Sequence, residues 1–337
     1  MEGQRFETNR VKLSDQIPMD TPFSVTMVPS SVCNFSCNFC PARIMVQPTI
    51  MKFPTAKQIM DNAGFPQPVK MLSLYNVGEP LLNDTLPNII RYAKTIGFAQ
   101  RVSIVTNASL LSRDWSERLI HSGIDRIIVS LYGMNDEDYL ANTGKHVKFA
   151  DIRRNIRYLN NIKGDCNVFV KVTDRAVPTP EKQQEFLDTF KDHCSGYSIE
   201  PILPIWPNFK PEGDDPALRE VGLYHGVPAI DRLACHYPFY SMVVNARGFV
   251  NPCLADWDER LVLGDANVLS LSTIWNSDQY KKFRLVQLTG KRPGHFLCST
   301  CGTLRAATCP EDDIDGSRLM LLEKMFPEVY KSHEANP

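Results

Sequence analysis

A chain of 337 residues in which 37 Lys and Arg face 38 Asp and Glu, for a formal net charge of −1, carries no chain-wide field to gather nucleic acid or an anionic membrane surface. No stretch approaches the roughly 18 apolar residues that span a bilayer, and the opening MEGQRFETNRVKLSDQ lacks the basic-then-apolar order of a signal peptide. The protein is therefore expected to be cytoplasmic, with neither nucleic acid nor membrane as a partner, and its ten cysteines to serve metal binding or catalysis rather than disulfides.

After a lead-in over 1–22, apolar and β-branched runs of strand length recur at FSVTMVP (23–29), KMLSLYN (70–76), RVSIVT (101–106), DRIIVSLY (125–132), VFVKVT (168–173) and YSIEPIL (197–203). Helical spacing fills several of the gaps: Leu86, Ile89, Ile90 and Ala93 before Gly97; Leu111, Trp115 and Leu119 before Gly123; Ile152, Ile156 and Leu159 before Gly164. Regular alternation of strand and helix predicts an α/β fold with a parallel sheet. Six units over 23–205 make a partial (β/α)6 barrel of the TIM type, two short of closure.

The proline-, glycine- and acid-rich WPNFKPEGDDPALRE breaks the pattern, so 206–230 reads as a linker. Beyond it, CHYPFYSMVVNARGFVNPC reads as a β-hairpin turning at Asn245 to Gly248 with Cys235 and Cys253 near its ends. Leu271, Ile274, Trp275, Tyr280 and Phe283 then lead to the CSTC pair, Cys298 and Cys301. These features predict a small carboxyl-terminal β-hairpin and helix domain over 231–312, followed by a helix and tail over 313–337.

The chemistry sits in the cysteines. Cys33, Cys37 and Cys40 lie in SSVCNFSCNFCPAR, directly after the first strand, at the end of the sheet where α/β folds place their sites. A structural zinc would want a fourth ligand, and none is near. A four-iron four-sulfur cluster held by three cysteines keeps one iron open for another ligand. Cys235, Cys253, Cys298 and Cys301 supply four thiolates, a count that fits zinc or a four-iron cluster alike. Cys166 and Cys194 read as idle barrel thiols, and His236, beside Cys235, as a neighbour of a ligand rather than a ligand.

The spacing CxxxCxxC, with Phe39 just before the third cysteine, resembles the signature of the radical S-adenosylmethionine superfamily. The resemblance implies that the open iron chelates S-adenosylmethionine, and that an electron from the cluster cleaves it to a 5′-deoxyadenosyl radical that takes hydrogen from a C–H bond. It also implies an electron donor of the flavodoxin or ferredoxin type. YNVGEP, ending the second strand, resembles the family's glycine-rich element: Gly78 would admit the ligand to the backbone and Glu79 would meet its ammonium group. Thr106 and Asn107 end the third strand, and Ser130 ends the fourth, as a partner for ribose hydroxyls or the carboxylate. Lys171 on the fifth would pair with the carboxylate, and Ile202 and Leu203 at the sixth would pack on adenine.

The later cysteines resemble the SPASM extension or its shorter twitch form. Five cysteines here, where full SPASM usually needs seven or more, favour the twitch form with one auxiliary four-iron cluster. In relatives with this extension the cluster is the proposed acceptor of the electron left when a carbinol carbon is oxidised. The expected activity is thus oxidation of an alcohol carbon in a small polar substrate of the sugar or aminocyclitol type, with Tyr75, Tyr132, Arg175, Lys171 and Glu200 facing it. The 22 residues or so ahead of the first strand leave little room for a peptide-recognition domain. Two alternatives stand beside it: an epimerase using Cys309 as hydrogen donor to a sugar-like or peptide radical, and a non-catalytic iron–sulfur or zinc sensor.

Overall fold

The computed structural model describes residues 10–45, 47–211, 222 and 229–335. Strands β1 (Ser24–Met27), β2 (Val69–Leu74), β3 (Ala99–Thr106), β4 (Arg126–Leu131), β5 (Asn167–Thr173) and β6 (Gly196–Glu200) pair in parallel, each with the next. Their central residues, such as Leu72, Val102, Ile127, Val129 and Val170, are fully buried, as expected of a parallel sheet covered on both faces. The helices up to this point are α1 (Leu13–Gln16), α2 (Phe53–Asp61), α3 (Leu86–Thr95), α4 (Arg113–His121), α5 (Asp136–Thr143), α6 (Phe149–Ile162) and α7 (Pro180–Phe190).

The three helices expected from spacing are α3, α4 and α6. Ser112 starts α4 by accepting from the Trp115 N–H, and Gly97, at φ 65°, follows α3. Helices α2, α5 and α7 were not legible in the pattern. In α5, DEDYLANT buries only Tyr139 and Thr143, too few apolar positions to reveal a period; Asn135 caps it instead, accepting from Asp138 N.

The predicted hairpin exists as β7 (Ser241–Val244) and β8 (Phe249–Asn251), turning through Gly248 at φ 90°. It does not form a sheet of its own. β7 lies parallel to β1, with Ser24 opposite Ser241 and Met27 opposite Val244, and a short β9 (Gly264–Asp265) completes a nine-stranded sheet in the order β6-β5-β4-β3-β2-β1-β7-β8-β9. A partial barrel leaves β1 with an unpaired edge, and β7 satisfies it. Met242, Val244 and Val250 consequently share one core with Val25, Met27 and Leu72.

Next come α8 (Tyr237–Tyr240), α9 (Leu271–Trp275), α10 (Asp278–Leu288), α11 (Thr303–Ala306), α12 (Arg318–Met325) and α13 (Pro327–Ala335). A second core joins the chain's two ends, with Leu13 and Ile17 packed among Phe239, Leu288, Leu321 and Leu322. The Trp275 indole N–H also donates to the Met19 carbonyl at 2.8 Å. The linker expected over 206–230 falls mostly outside the described residues. Among the described residues no helix is long and apolar enough to cross a membrane.

Candidate active site

The loop after β1 carries Cys33, Cys37 and Cys40, and its shape is fixed by polar bonds to three neighbours. Ser31 Oγ donates to the Thr49 carbonyl and accepts from Thr49 N. Asn34 donates to Ser109 Oγ at 2.8 Å and accepts from the Asn107 amide at 3.0 Å. Ser36 N and Asn38 N donate to the carbonyls of Thr143 and Asn142 at the end of α5. Phe35 is buried edge-on to Tyr132, and Phe39 lies against the same ring with centroids 5.6 Å apart.

The element at the end of β2 organises this loop. Gly78, at φ 120°, leaves room for the chain itself: a Cβ there would stand 2.1 Å from the Ser30 carbonyl oxygen and 2.8 Å from Ser31 Cα. The close approach expected between Gly78 and a ligand is thus, in the structure, an approach to the cysteine loop. Glu79 N donates to the Val32 carbonyl at 2.8 Å. Its carboxylate, nearly fully buried, accepts from Leu81 N, from Thr106 Oγ1 at 2.6 Å and from Asn107 N at 2.8 Å. Burial pushes the Glu79 carboxyl up to about 7, against the pull of those three bonds. Expected to meet the ammonium group of S-adenosylmethionine, Glu79 in the structure ties β2 to β3. Oε1 already accepts two of these bonds and Oε2 one, so further acceptor capacity remains on Oε2.

A cavity of about 430 Å³ opens at the carboxyl ends of the strands, and all seven motif cysteines line it: Cys33, Cys37 and Cys40 from the loop, with Cys235, Cys253, Cys298 and Cys301 from the carboxyl-terminal region. Phe39, Tyr75, Gly78, Glu79, Thr106 and Asn107 are in its wall. So are Ser130, Tyr132, Lys171, Glu200, Ile202 and Leu203. Lys171 Nζ stands 3.0 Å from Glu200 Oε2, so the lysine expected to meet a ligand carboxylate has a carboxylate of the chain beside it. Arg175 and Cys309 are not among the lining residues. Cys309 is buried near Arg10, which pairs with Asp312, so the fold does not bring this thiol to the cavity.

Sequence reasoning missed several wall residues. Trp206 lay in the presumed linker, Tyr237 follows Cys235 by two positions, and Arg292 carried no pattern. Arg292 donates to the Cys301 carbonyl at 3.1 Å. Gln287, fully buried on α10, accepts from Cys235 N at 3.2 Å and reaches Cys298 Sγ at 3.9 Å with its amide nitrogen. It joins two cysteines that lie far apart in sequence.

The donor set fits iron–sulfur clusters. Burial, followed by the neighbouring thiols as like charges, raises Cys37 and Cys253 far above the ordinary thiol value. Burial also leads in Cys40 and Cys298, both pushed up to about 11, with the Cys301 thiol next for Cys298. Such thiols ionise only against a strongly cationic centre, and soft sulfur donors select iron–sulfur clusters or comparable soft metals. Among the described residues no group of three Cys, His, Asp or Glu is placed to hold a single metal ion; the thiols surround a space instead. Cys194 donates to the Phe190 carbonyl away from this cavity, and buried His236 stacks on Tyr237 with centroids 4.5 Å apart, its imidazole pushed down to about 4 by burial.

Comparison with known proteins agrees with this geometry. The family model described as the Radical SAM superfamily matches residues 27–193, and that of the SPASM iron-sulfur cluster-binding domain matches residues 235–302. The dTDP-4-amino-4,6-dideoxy-D-glucose ammonia-lyase of Streptomyces venezuelae is 28% identical over 176 residues, 50% of this chain but 35% of that protein. The S-adenosyl-L-methionine-dependent 2-deoxy-scyllo-inosamine dehydrogenase of Niallia circulans is 21% identical over 295 residues, 86% of this chain and 97% of that one. Among solved structures, BtrN in complex with AdoMet and 2-DOIA superposes with a TM-score of 0.53 at 21% identity, covering 85% of this chain and 94% of the other. Native anSMEcpe with bound AdoMet gives 0.60 at 16% identity, covering 93% and 100%. Likenesses this distant establish the shared fold. The matched auxiliary domain is SPASM, where the cysteine count had favoured the shorter form, and its four thiols in the cavity wall suffice for one cluster. The chain belongs to the radical S-adenosylmethionine superfamily, with S-adenosylmethionine, a four-iron cluster and auxiliary iron–sulfur ligation as the cofactors of its two domains.

Proposed function

We propose that the protein is a dehydrogenase that oxidises an alcohol carbon of a sugar or aminocyclitol, fed with electrons by a flavodoxin- or ferredoxin-type carrier. The observation that carries this reading is that both cysteine sets line one cavity: the site that would generate a radical and the site that would take away its surplus electron share one wall. The groups bound there supply hydrogen-atom abstraction from C–H and removal of one electron; a proton leaves the hydroxyl, and C–H plus O–H become C=O. The chain's part is to bind and orient. Lys171 and Glu200 offer a cation and an anion to a polyol or aminopolyol, Tyr75 and Thr303 add hydroxyl groups, and the aromatic rings of Tyr132 and Trp206 exclude water.

The near full-length match to an aminocyclitol dehydrogenase supports the substrate class. Amino sugars follow from the shorter match to the ammonia-lyase. The epimerase reading lacks its donor, because Cys309 is outside the cavity wall. The test is anaerobic reconstitution followed by reaction with a panel of aminocyclitols and amino sugars deuterated at each carbinol carbon. The expected result is one carbonyl product per 5′-deoxyadenosine, with deuterium moved into the deoxyadenosine. Release of ammonia, or solvent hydrogen in a recovered stereoisomer, would replace dehydrogenation with elimination or epimerisation.

A further inference from the structure

The outer face of the cysteine loop is the floor of a second hollow, lined by Asn34 and Phe35 together with Lys145, His146, Lys148 and Asp151. Asn34 and Phe35 are the two residues after Cys33, so the back of the cluster-binding loop forms the surface here. The lysines are brought there by specific bonds. Ser36 N and Asn38 N hold the loop to the last turn of α5, Gly144 closes that helix at φ 67°, and the exposed Lys145 follows it. Farther along α6 lies another hollow lined by Arg113, Arg153, Arg154 and Arg157. The two share α6, where Arg154 pairs with Asp151 at 2.8 Å.

Together the two hollows present six Lys and Arg against one carboxylate, in a chain whose net charge is −1. The nearby Glu117 is occupied by the Tyr158 hydroxyl. A concentrated positive strip on an otherwise balanced protein steers and orients an acidic partner. A nucleic acid or a free anion gains nothing from lying against the back of a cluster loop, whereas a protein delivering electrons does. We infer that this strip, from Lys145 and Lys148 to the arginines of α6, is the docking surface for an acidic one-electron carrier protein, which passes its electron inward through the Asn34–Phe35 segment. The inference rests on the proposed need for an external electron. Electron-transfer encounters of this kind use small, charge-matched and short-lived interfaces.

The test compares two reductants on the holoenzyme, with iron content measured in every sample. Dithionite reaches the cluster without docking, while reduced flavodoxin has to dock. In the double variant Lys145→Glu/Lys148→Glu, flavodoxin-driven formation of 5′-deoxyadenosine is expected to fall about tenfold or more, and dithionite-driven formation to stay within about twofold of wild type. Added salt should slow the wild-type flavodoxin reaction and leave the dithionite reaction unchanged. Zero-length carbodiimide cross-linking of wild-type enzyme to flavodoxin provides an arm that needs no variant, and mass spectrometry should place the links at Lys145 or Lys148. Links confined to other lysines, or a salt-independent flavodoxin rate that the variant shares with wild type, overturn the inference. Failure of dithionite to support cleavage in wild type would instead strike the proposed function.

Discussion

The two cysteine sets that share the cavity are built in opposite ways. Cys33, Cys37 and Cys40 come from one loop, and their convergence is written in their spacing; the surrounding structure, from Ser30 and Thr49 to Thr143, only fixes the loop's shape. Cys235, Cys253, Cys298 and Cys301 come from the segment before α8, the loop after β8 and the segment after α10, and they meet only because β7 pairs with β1 and α10 packs behind it. A local set tolerates changes in the rest of the fold that a dispersed set does not, since its closure requires ordering fewer intervening residues. The dispersed set needs braces such as Gln287, which holds Cys235 N and Cys298 Sγ.

The largest expected effect separates the sets. Changing Cys33, Cys37 and Cys40 together to Ala should abolish 5′-deoxyadenosine formation and halve an iron content of about eight atoms per chain. Changing Cys298 and Cys301 to Ala should also halve the iron yet leave cleavage of S-adenosylmethionine detectable, with no oxidised product. If both variants behave alike in iron and cleavage assays, the two sets do not act separately.

Next in size is the brace behind the loop. Glu79→Leu strands three buried donors, Leu81 N, Thr106 Oγ1 and Asn107 N, and should cost about 3 kcal/mol or more. Thermal melting would register this as a drop of several degrees. Loss of the loop cluster's iron should exceed loss of the auxiliary iron. An unchanged melting point would mean that β2 and β3 are joined by something other than this carboxylate.

Gln287→Leu is expected to act more gently, on the dispersed set alone. Removing an amide donor near Cys298 Sγ and the acceptor of Cys235 N should lower the auxiliary cluster's midpoint potential by tens of millivolts, read by redox titration with electron paramagnetic resonance, because hydrogen bonds to the sulfurs favour the reduced state. The loop cluster's spectrum should not move. Smallest of all, Cys309→Ala should leave turnover and solvent deuterium incorporation as in wild type, since Cys309 lies outside the cavity wall; loss of turnover with trapped reduced product would restore the epimerase reading.

The same contrast explains what could be read in advance. The six barrel strands, the helices α3, α4 and α6, and the hairpin at Gly248 were legible because each is a local pattern with its own period or turn. Thr106, Asn107 and Ser130, all in the cavity wall, were picked out because they stand at the carboxyl ends of those strands, and Phe39 because it precedes the third cysteine of the loop. Glu79 was picked out for its place beside Gly78, but its donors lie on another strand, and nothing in YNVGEP reveals that Thr106 and Asn107 occupy it. Gln287, Arg292 and Trp206 had no pattern of any kind.

The amino-acid sequence by itself determined the alternation of strand and helix, and with it the end of the sheet at which the chemistry stands. Those elements follow from side-chain direction repeating every two residues in a strand and every 3.6 in a helix, and the three-thiol loop from the close spacing of Cys33, Cys37 and Cys40 along the chain. Only the tertiary structure decided that β7 closes the open edge of β1, that seven thiols meet around one cavity, and that Cys309 does not join them. Those outcomes are contacts between residues some two hundred positions apart, set by the packing of whole faces and the pairing of an exposed edge, and no short-range period carries that information.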